Sequence, residues 1–374
     1  MESKCSLVSR WLLRSVLSLT VGIAVLGGSA LATAQEVVWE EHTIPIENLR
    51  INDLALVDAE TAWTVGIVDA NPGARPPQVV PTVLHTIDGG KTWIEHETGV
   101  ERGVLNAICF VETEMAVAVG QDHGTRAPLV LWTTDGGQKW SRATLPSGQG
   151  QGYLRNVIFA SNGTGWGVGH DYDESESLLW HSNDLCAWTA QSHPIQEGAR
   201  LSAIAFPAAM VGYAVGYIRG ESAKPFMLKT ADGGATWTEV APPLTEGTPI
   251  DIFFLDEQTG WVVGASGDDG LVLKTTDGGT SWGVTLVHDS PLYFKRVFFL
   301  DSLRGFALGG IEMGDKYYSA VWETQDGGAT WNEWYKTEQS ITCLNVHGNT
   351  LWMVVTGTSG GLTKILKTEI CAVD

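Results

Sequence analysis

An eight-residue signature, Thr-x-Asp-Gly-Gly-x-x-Trp, recurs along this chain and limits its possible folds more than any other feature. Copies run from Thr86 to Trp93, Thr133 to Trp140, Thr230 to Trp237, Thr275 to Trp282 and Thr324 to Trp331. A sixth, worn copy ends at Trp188, with His181, Asn183 and Leu185 in the places of Thr, Asp and the second Gly. The six tryptophans lie 47, 48, 49, 45 and 49 residues apart. A fixed period in this range, flanked by strand-like runs, marks a repeat architecture.

Each copy follows a short apolar run such as Val83-Leu84, Met227-Leu228 or Val272-Leu273, and precedes an alternating one such as Trp237-Thr-Glu-Val. That pattern reads as strand, tight turn, strand. The paired glycines supply positive φ without steric cost. The Asp and Thr side chains accept hydrogen bonds from the turn's own amides, and the Trp buries a large ring. The signature resembles the Asp-box, or BNR, repeat, which lies on a hairpin away from the ligand face. The resemblance implies structural roles for Asp88, Asp135, Asp232, Asp277 and Asp326, and for Trp93, Trp140, Trp188, Trp237, Trp282 and Trp331.

A second unit precedes each signature: an apolar strand, a polar turn, then an aromatic-bearing strand. Its copies are 51–66, 105–120, 154–169, 201–216, 250–264, 294–309 and 341–355, seven in all. Unit plus signature hairpin gives four short strands in about 48 residues, one propeller blade. The seventh copy adds Leu362–Thr368 and stops without a Trp-bearing fourth strand. Trp39-Glu-Glu-His-Thr-Ile-Pro45 resembles the fourth strands that begin at Trp140 and Trp237. The expected fold is therefore all-β: a seven-bladed β-propeller closed by the N-terminal strand pairing with the last blade. An open array of hairpins would leave two bare sheet edges and no use for the Trp39 strand. Residues 35–374 read as one domain, because no linker or low-complexity stretch divides them. Trp63, Trp166, Trp261 and Trp352 recur at one blade position, which marks them as core rather than as sugar-stacking platforms.

Residues 1–34 read as a signal peptide, with Lys4, Arg10 and Arg14 ahead of an apolar core, Val16 to Leu26, and small residues up to a cleavage site near Ala34. An uncleaved anchor is the alternative; no Cys follows the core to support lipid attachment. Export places the protein in the periplasm, a lumen or outside the cell. The full chain carries a net charge of −20, and cleavage leaves 20 basic against 42 acidic side chains. Such a surface repels nucleic acid and anionic membrane, so membrane contact is expected to be indirect only. Cys109, Cys186, Cys343 and Cys371 are scattered without metal-ligand spacing and read as thiols, with Cys343–Cys371 the one pair close enough to test for a disulfide.

Candidate binding residues sit on loops between second and third strands, among them His123 and His170, and at the starts of first strands. Arg50, Arg155, Arg200, Lys295 and Arg296 occupy those starts and are expected to converge on one end of the channel as an anion or acidic-peptide site. Reversing the charge of Arg155 and Arg296 is then expected to abolish partner binding without lowering stability. Asp171-Tyr-Asp173-Glu174-Ser-Glu176 lacks the glycine and distant Glu of a calcium loop and reads as a solvated acidic loop. No catalytic residue, metal or cofactor is expected.

Seven blades of this pattern across about 335 residues resemble the photosystem II stability and assembly factor family. The resemblance implies an exported, non-enzymatic scaffold that binds protein partners through an arginine-bearing face, with Arg155, Arg200 and Arg296 as the corresponding positions; the chain itself is expected to be a monomer. A sialidase-like glycoside hydrolase is the enzymatic alternative. Leu49-Arg50-Ile51-Asn52 nearly matches that family's Arg-Ile-Pro motif, but no nucleophilic Tyr can be assigned and six blades are usual there. A secreted glycan- or protein-binding surface module is the third reading.

Overall fold

The computed structural model describes residues 37–75, 78–148, 150–172, 177–195, 198–287, 292–313, 315–356 and 361–370. Residues 1–34, the expected signal peptide, and Asp173, Glu174, Glu176 and Cys371 lie outside the described residues. Among them Cys109, Cys186 and Cys343 are free thiols, and no helix is long and apolar enough to cross a membrane.

Seven four-stranded antiparallel sheets form a seven-bladed β-propeller, with sequence order running from the inner to the outer strand in six of them. The inner strands are Leu49–Leu56, Gly103–Glu112, Gly152–Phe159, Ala199–Ala208, Thr248–Phe254, Leu292–Phe299 and Ser340–His347. The seventh sheet takes its outer strand, Glu40–Thr43, from the start of the chain, with Glu40 opposite Lys367 and Thr43 opposite Lys364. Trp39 packs edge-on against Trp334 and Tyr335 of blade six, at centroid distances of 5.5 and 5.3 Å.

Each signature closes its turn as the chemistry of its residues requires. Thr86 Oγ1 donates to Asp88 Oδ1 at 2.8 Å and accepts the Gly90 N–H at 3.0 Å. Asp88 in turn accepts the Thr92 N–H at 2.9 Å and the Thr92 hydroxyl at 2.6 Å. The first glycine's amide donates to the turn between strands one and two of the same blade, as Gly89 does to the Glu60 carbonyl. These two turns therefore share one end of each blade. Antiparallel order puts the loops between second and third strands at the other end, together with the starts of the inner strands.

The worn copy corrects the sequence alignment. Ser182, not His181, takes the Thr role: its hydroxyl donates to Asp184 at 3.2 Å. Asp184, not Asn183, accepts the Cys186 and Ala187 amides at 3.0 and 2.8 Å. His181 pairs with Thr189 where His85 pairs with Ile94, so this hairpin is one residue shorter. Trp188 Nε1 donates to the Leu185 carbonyl at 3.0 Å, as Trp93 Nε1 does to Gly90 at 3.1 Å. One glycine is deleted, and Leu185 takes the place of the other.

The second-strand aromatics fill the joints between blades. Trp63, Trp166, Trp261 and Trp352 are at most 2% exposed, and each lies under the second signature glycine of the following blade. A Cβ on Gly137 would come 2.3 Å from Trp63, and one on Gly234 would come 2.0 Å from Trp166. The same joint links blade seven to blade one through Trp352 and Gly90.

Candidate functional site

Every inner strand carries a register shift at the same place, leaving one residue unpaired: Asn52, Asn106, Arg155, Ser202, Ile250, Lys295 and Thr342. A β-bulge bends its strand and re-aims the extra side chain. All seven bulged residues line one axial cavity of about 380 Å³. The residue just before each bulge stays buried in the blade, as Ile51, Leu105, Leu154, Leu201, Phe294 and Ile341 do at 0–1% exposure.

Much of the polar material at the axis serves the fold. Asn52 Nδ2 donates to the Leu105 carbonyl and Asn106 Nδ2 to the Leu154 carbonyl, both at 2.8 Å. Asp53 accepts the Ile108 N–H at 3.0 Å, and Asp251 accepts the Val297 N–H at 2.9 Å. Each of these bonds joins one blade to the next.

Arg296 follows the bulge of blade six, and its Nη2 reaches Asp53 of blade one at 3.0 Å. Blade seven lies between them, so this ion pair spans part of the channel floor. Burial raises the Asp53 and Asp251 carboxyls above the usual range, only partly offset by Arg296. The Asp53 charge in turn holds the guanidinium strongly in its charged form. This corrects the expectation for Arg296: its charge is matched by a carboxylate, and reversing it would set a third anion beside two, at a cost in stability.

The other expected cations separate into different surroundings. Arg155 and Lys295 face the axial cavity. Lys295 Nζ donates to the Tyr317 hydroxyl at 3.0 Å and stands over the Tyr293 and Tyr317 rings. Arg200 is half-buried near Tyr153 and lines neither the axial cavity nor its neighbour. His170 belongs to the strand Gly165–Asp171 rather than to the loop after it, buried with its ring edge-on to Tyr153 at 4.5 Å. The five cations therefore do not form one convergent patch.

Arg50 opens instead into a second, lateral cavity of about 780 Å³ that shares Asn52 and Asn106 with the axial one. Three guanidiniums line it: Arg50 and Arg102 from around the starts of two inner strands, and Arg126 from the loop after Asp122. None of the three joins an ion pair among the described residues. Arg126 adopts a left-handed backbone at φ 63°. Gln121 holds that loop by donating to the Arg126 carbonyl at 3.2 Å and to Gly152 at 3.0 Å. Tyr172 donates its hydroxyl to Gln121 Oε1, and the Arg126 guanidinium stands 5.2 Å from the Tyr172 ring. His123, also in the lining, has its imidazole pKa lowered by burial and then by the Arg102 charge. It serves as a neutral donor or acceptor at neutral pH.

The sequence singles out Arg50 and His123 as separate candidates, the first for the channel and the second for a loop, and gives no signal for Arg102, which lies in a polar connection outside the repeat units. Among the described residues no group of three His, Cys, Asp or Glu side chains is placed to hold a metal.

Comparison with known proteins agrees with this architecture. The family model described as photosynthesis system II assembly factor YCF48 matches residues 31–152. Among solved structures, "YCF48 bound to D1 peptide" aligns with a TM-score of 0.59 at 19% identity, over 90% of this chain and 96% of that one. "YCF48 from Cyanidioschyzon merolae" aligns with a TM-score of 0.58 at 19% identity, over 88% and 98%. No curated protein matches. The chain is thus a BNR-repeat propeller that resembles the photosystem II assembly factors, a likeness that at this identity is one of fold.

Proposed function

We propose that this protein is an exported, non-enzymatic scaffold that binds an acidic segment of a protein partner in the lateral cavity, as a YCF48-like assembly factor. In this reading residues 1–34 are removed, and residues 35–374 act as a single monomeric propeller in the periplasm, a lumen or outside the cell. The observation that carries it is the set of Arg50, Arg102 and Arg126 on one cavity, unpaired with carboxylates among the described residues, in a chain of net charge −20. Against such a background, three clustered guanidiniums make a local attractive field for an anionic group, and each can hold a carboxylate through a two-pronged hydrogen bond. The similar solved structure "YCF48 bound to D1 peptide" supports a peptide as the ligand class.

A three-arginine set is also what the sialidase-like reading asks for. Hydrolysis additionally needs a nucleophile pair and an acid. The described lining offers Tyr172, whose hydroxyl is committed to Gln121, and no Asp or Glu. Binding is therefore the better supported chemistry.

Fluorescence anisotropy with a labelled acidic decapeptide tests the proposal. Double reversal, Arg50→Glu with Arg102→Glu, should weaken binding by at least about tenfold, since each lost charged hydrogen bond contributes on the order of 1.5–3 kcal/mol. Thermal stability should hold, because both side chains are exposed. Peptide binding that is unaffected by the double variant, or that is insensitive to salt, would remove the cavity from consideration.

A further inference from the structure

The axial cavity holds a feature that the acidic-segment reading leaves unused. Asp251 is only 9% exposed and lines the cavity floor, yet no cation lies within ion-pair distance of it among the described residues. The nearby guanidinium of Arg296 is bonded to Asp53 instead. A buried carboxylate without a matching cation is costly, and a ligand ammonium is the group that would relieve it. Two cations face the same space. Arg155 makes no ion pair among the described residues, and Lys295 spends one N–H on Tyr317, leaving two of the three donors that an ammonium carries. Counted with Asp53, which pairs with Arg296 beside the cavity, the formal charges of Arg155, Lys295, Arg296 and Asp251 sum to one positive.

We infer that the axial cavity is a binding site for a small amino dicarboxylate of the aspartate–glutamate type, its ammonium on Asp251 and its carboxylates on Arg155 and Lys295. Such a ligand carries one net negative charge at neutral pH, complementary to the cavity, and a space of about 380 Å³ accommodates it. A dicarboxylate without nitrogen would leave Asp251 bare. A diamine would meet two cations. The inference stands apart from the acidic-segment reading, because it uses different charged residues.

Isothermal titration calorimetry on the full propeller with L-glutamate, succinate and putrescine tests it. Glutamate should bind, and succinate and putrescine should each bind about tenfold or more weakly, the factor expected from losing one charged hydrogen bond. Asp251→Asn retains an acceptor for the Val297 N–H; it should weaken glutamate about tenfold while leaving succinate unchanged or improved. Arg155→Met should weaken both dicarboxylates. A tripeptide Glu-Ala-Ala separates two sources of the same chemistry: weaker binding than glutamate assigns the cavity to free amino acids, tighter binding to a peptide amino terminus. Absence of glutamate binding to the unaltered protein, or equal affinity for succinate, overturns the inference. So does glutamate binding unchanged in a folded Asp251→Asn protein. Anisotropy with the acidic decapeptide should not respond to Asp251→Asn, so failure of one site leaves the other standing.

Discussion

Where a signature hairpin meets the preceding blade, two kinds of joint occur, and they solve one packing problem in opposite ways. In most, a second-strand ring fills the space under the next blade's turn: Trp63 beneath Gly137, Trp166 beneath Gly234, Tyr213 beneath Gly279, Trp261 beneath Gly328 and Trp352 beneath Gly90. Between blades two and three the sizes are exchanged. Val117 stands where the ring would be, Leu185 stands where the glycine would be, and both are buried in one cluster. Leu185 accepts a left-handed backbone at φ 65°, so that conformation alone does not force glycine. The glycine is demanded by the ring beneath it. Volume is conserved across the joint while the residues that supply it change places.

This comparison predicts its own largest effect. Gly234→Ala would put a methyl 2.0 Å from Trp166 at φ +90°. Left-handed strain of about 1–2 kcal/mol and overpacking of about 1–3 kcal/mol should together remove about 3–4 kcal/mol, read as a lower urea midpoint. At the exchanged joint Leu185→Gly relieves strain but empties a buried site, and should cost about 2 kcal/mol. Adding Val117→Trp to Leu185→Gly should then recover part of that loss. Strict additivity of the two changes would break the comparison, since residues that share one cavity are expected to couple.

The next effect contrasts the two ends of the molecule. At the axis, Arg296→Met leaves Asp53 and Asp251 without a nearby cation. Because 28% of the Arg296 side chain meets channel water, the loss at neutral pH should fall below the usual range for a broken buried pair, at about 2–3 kcal/mol. Both carboxyls already have raised pKa values from burial. The folded form then binds protons more readily than the unfolded chain, so stability rises as pH falls through the folded values. The deficit of Arg296→Met should therefore shrink on acidification. A deficit that is constant from neutral to mildly acidic pH would show that the two carboxylates do not depend on this cation.

Much of the fold was legible because its determinants are local. The Asp, Thr and two glycines of each hairpin bond within one turn, so Thr86 to Trp93 announces itself in any one copy and the period counts the rest. Pairing of the Glu40 strand with Lys367 follows from the count of fourth strands. The site was less legible, because its charges are set by partners far apart in sequence. Arg296 and Lys295 are neighbours in the chain, but one is neutralised by Asp53 across the channel and the other faces the cavity. Arg102 sits outside any repeat pattern, and only the fold brings it to Arg50. The worn hairpin was misread because a one-residue deletion moves Ser182 and Asp184 into roles that fixed spacing assigned to their neighbours.

The smallest effect returns to the hairpins and separates three of them from two others by a single hydroxyl. Asp88, Asp232 and Asp277 are held at about 2, first by a side-chain hydroxyl four residues on, from Thr92, Thr236 and Ser281, and then by that residue's amide. Asp135 faces Lys139 at that position, and its carboxyl is lowered by the Lys139 amide first. Asp184 is lowered chiefly by the Ala187 amide. A carboxylate depressed in the folded state stabilises above the unfolded value and loses that contribution as pH falls toward the folded one. Carboxyl NMR titration should therefore find Asp135 and Asp184 protonating at higher pH than Asp88, Asp232 and Asp277. Thr236→Ala should move Asp232 up to join them, with almost no change at neutral pH because this carboxylate is exposed. If Asp232 keeps its value without that hydroxyl, the amides alone set the depression.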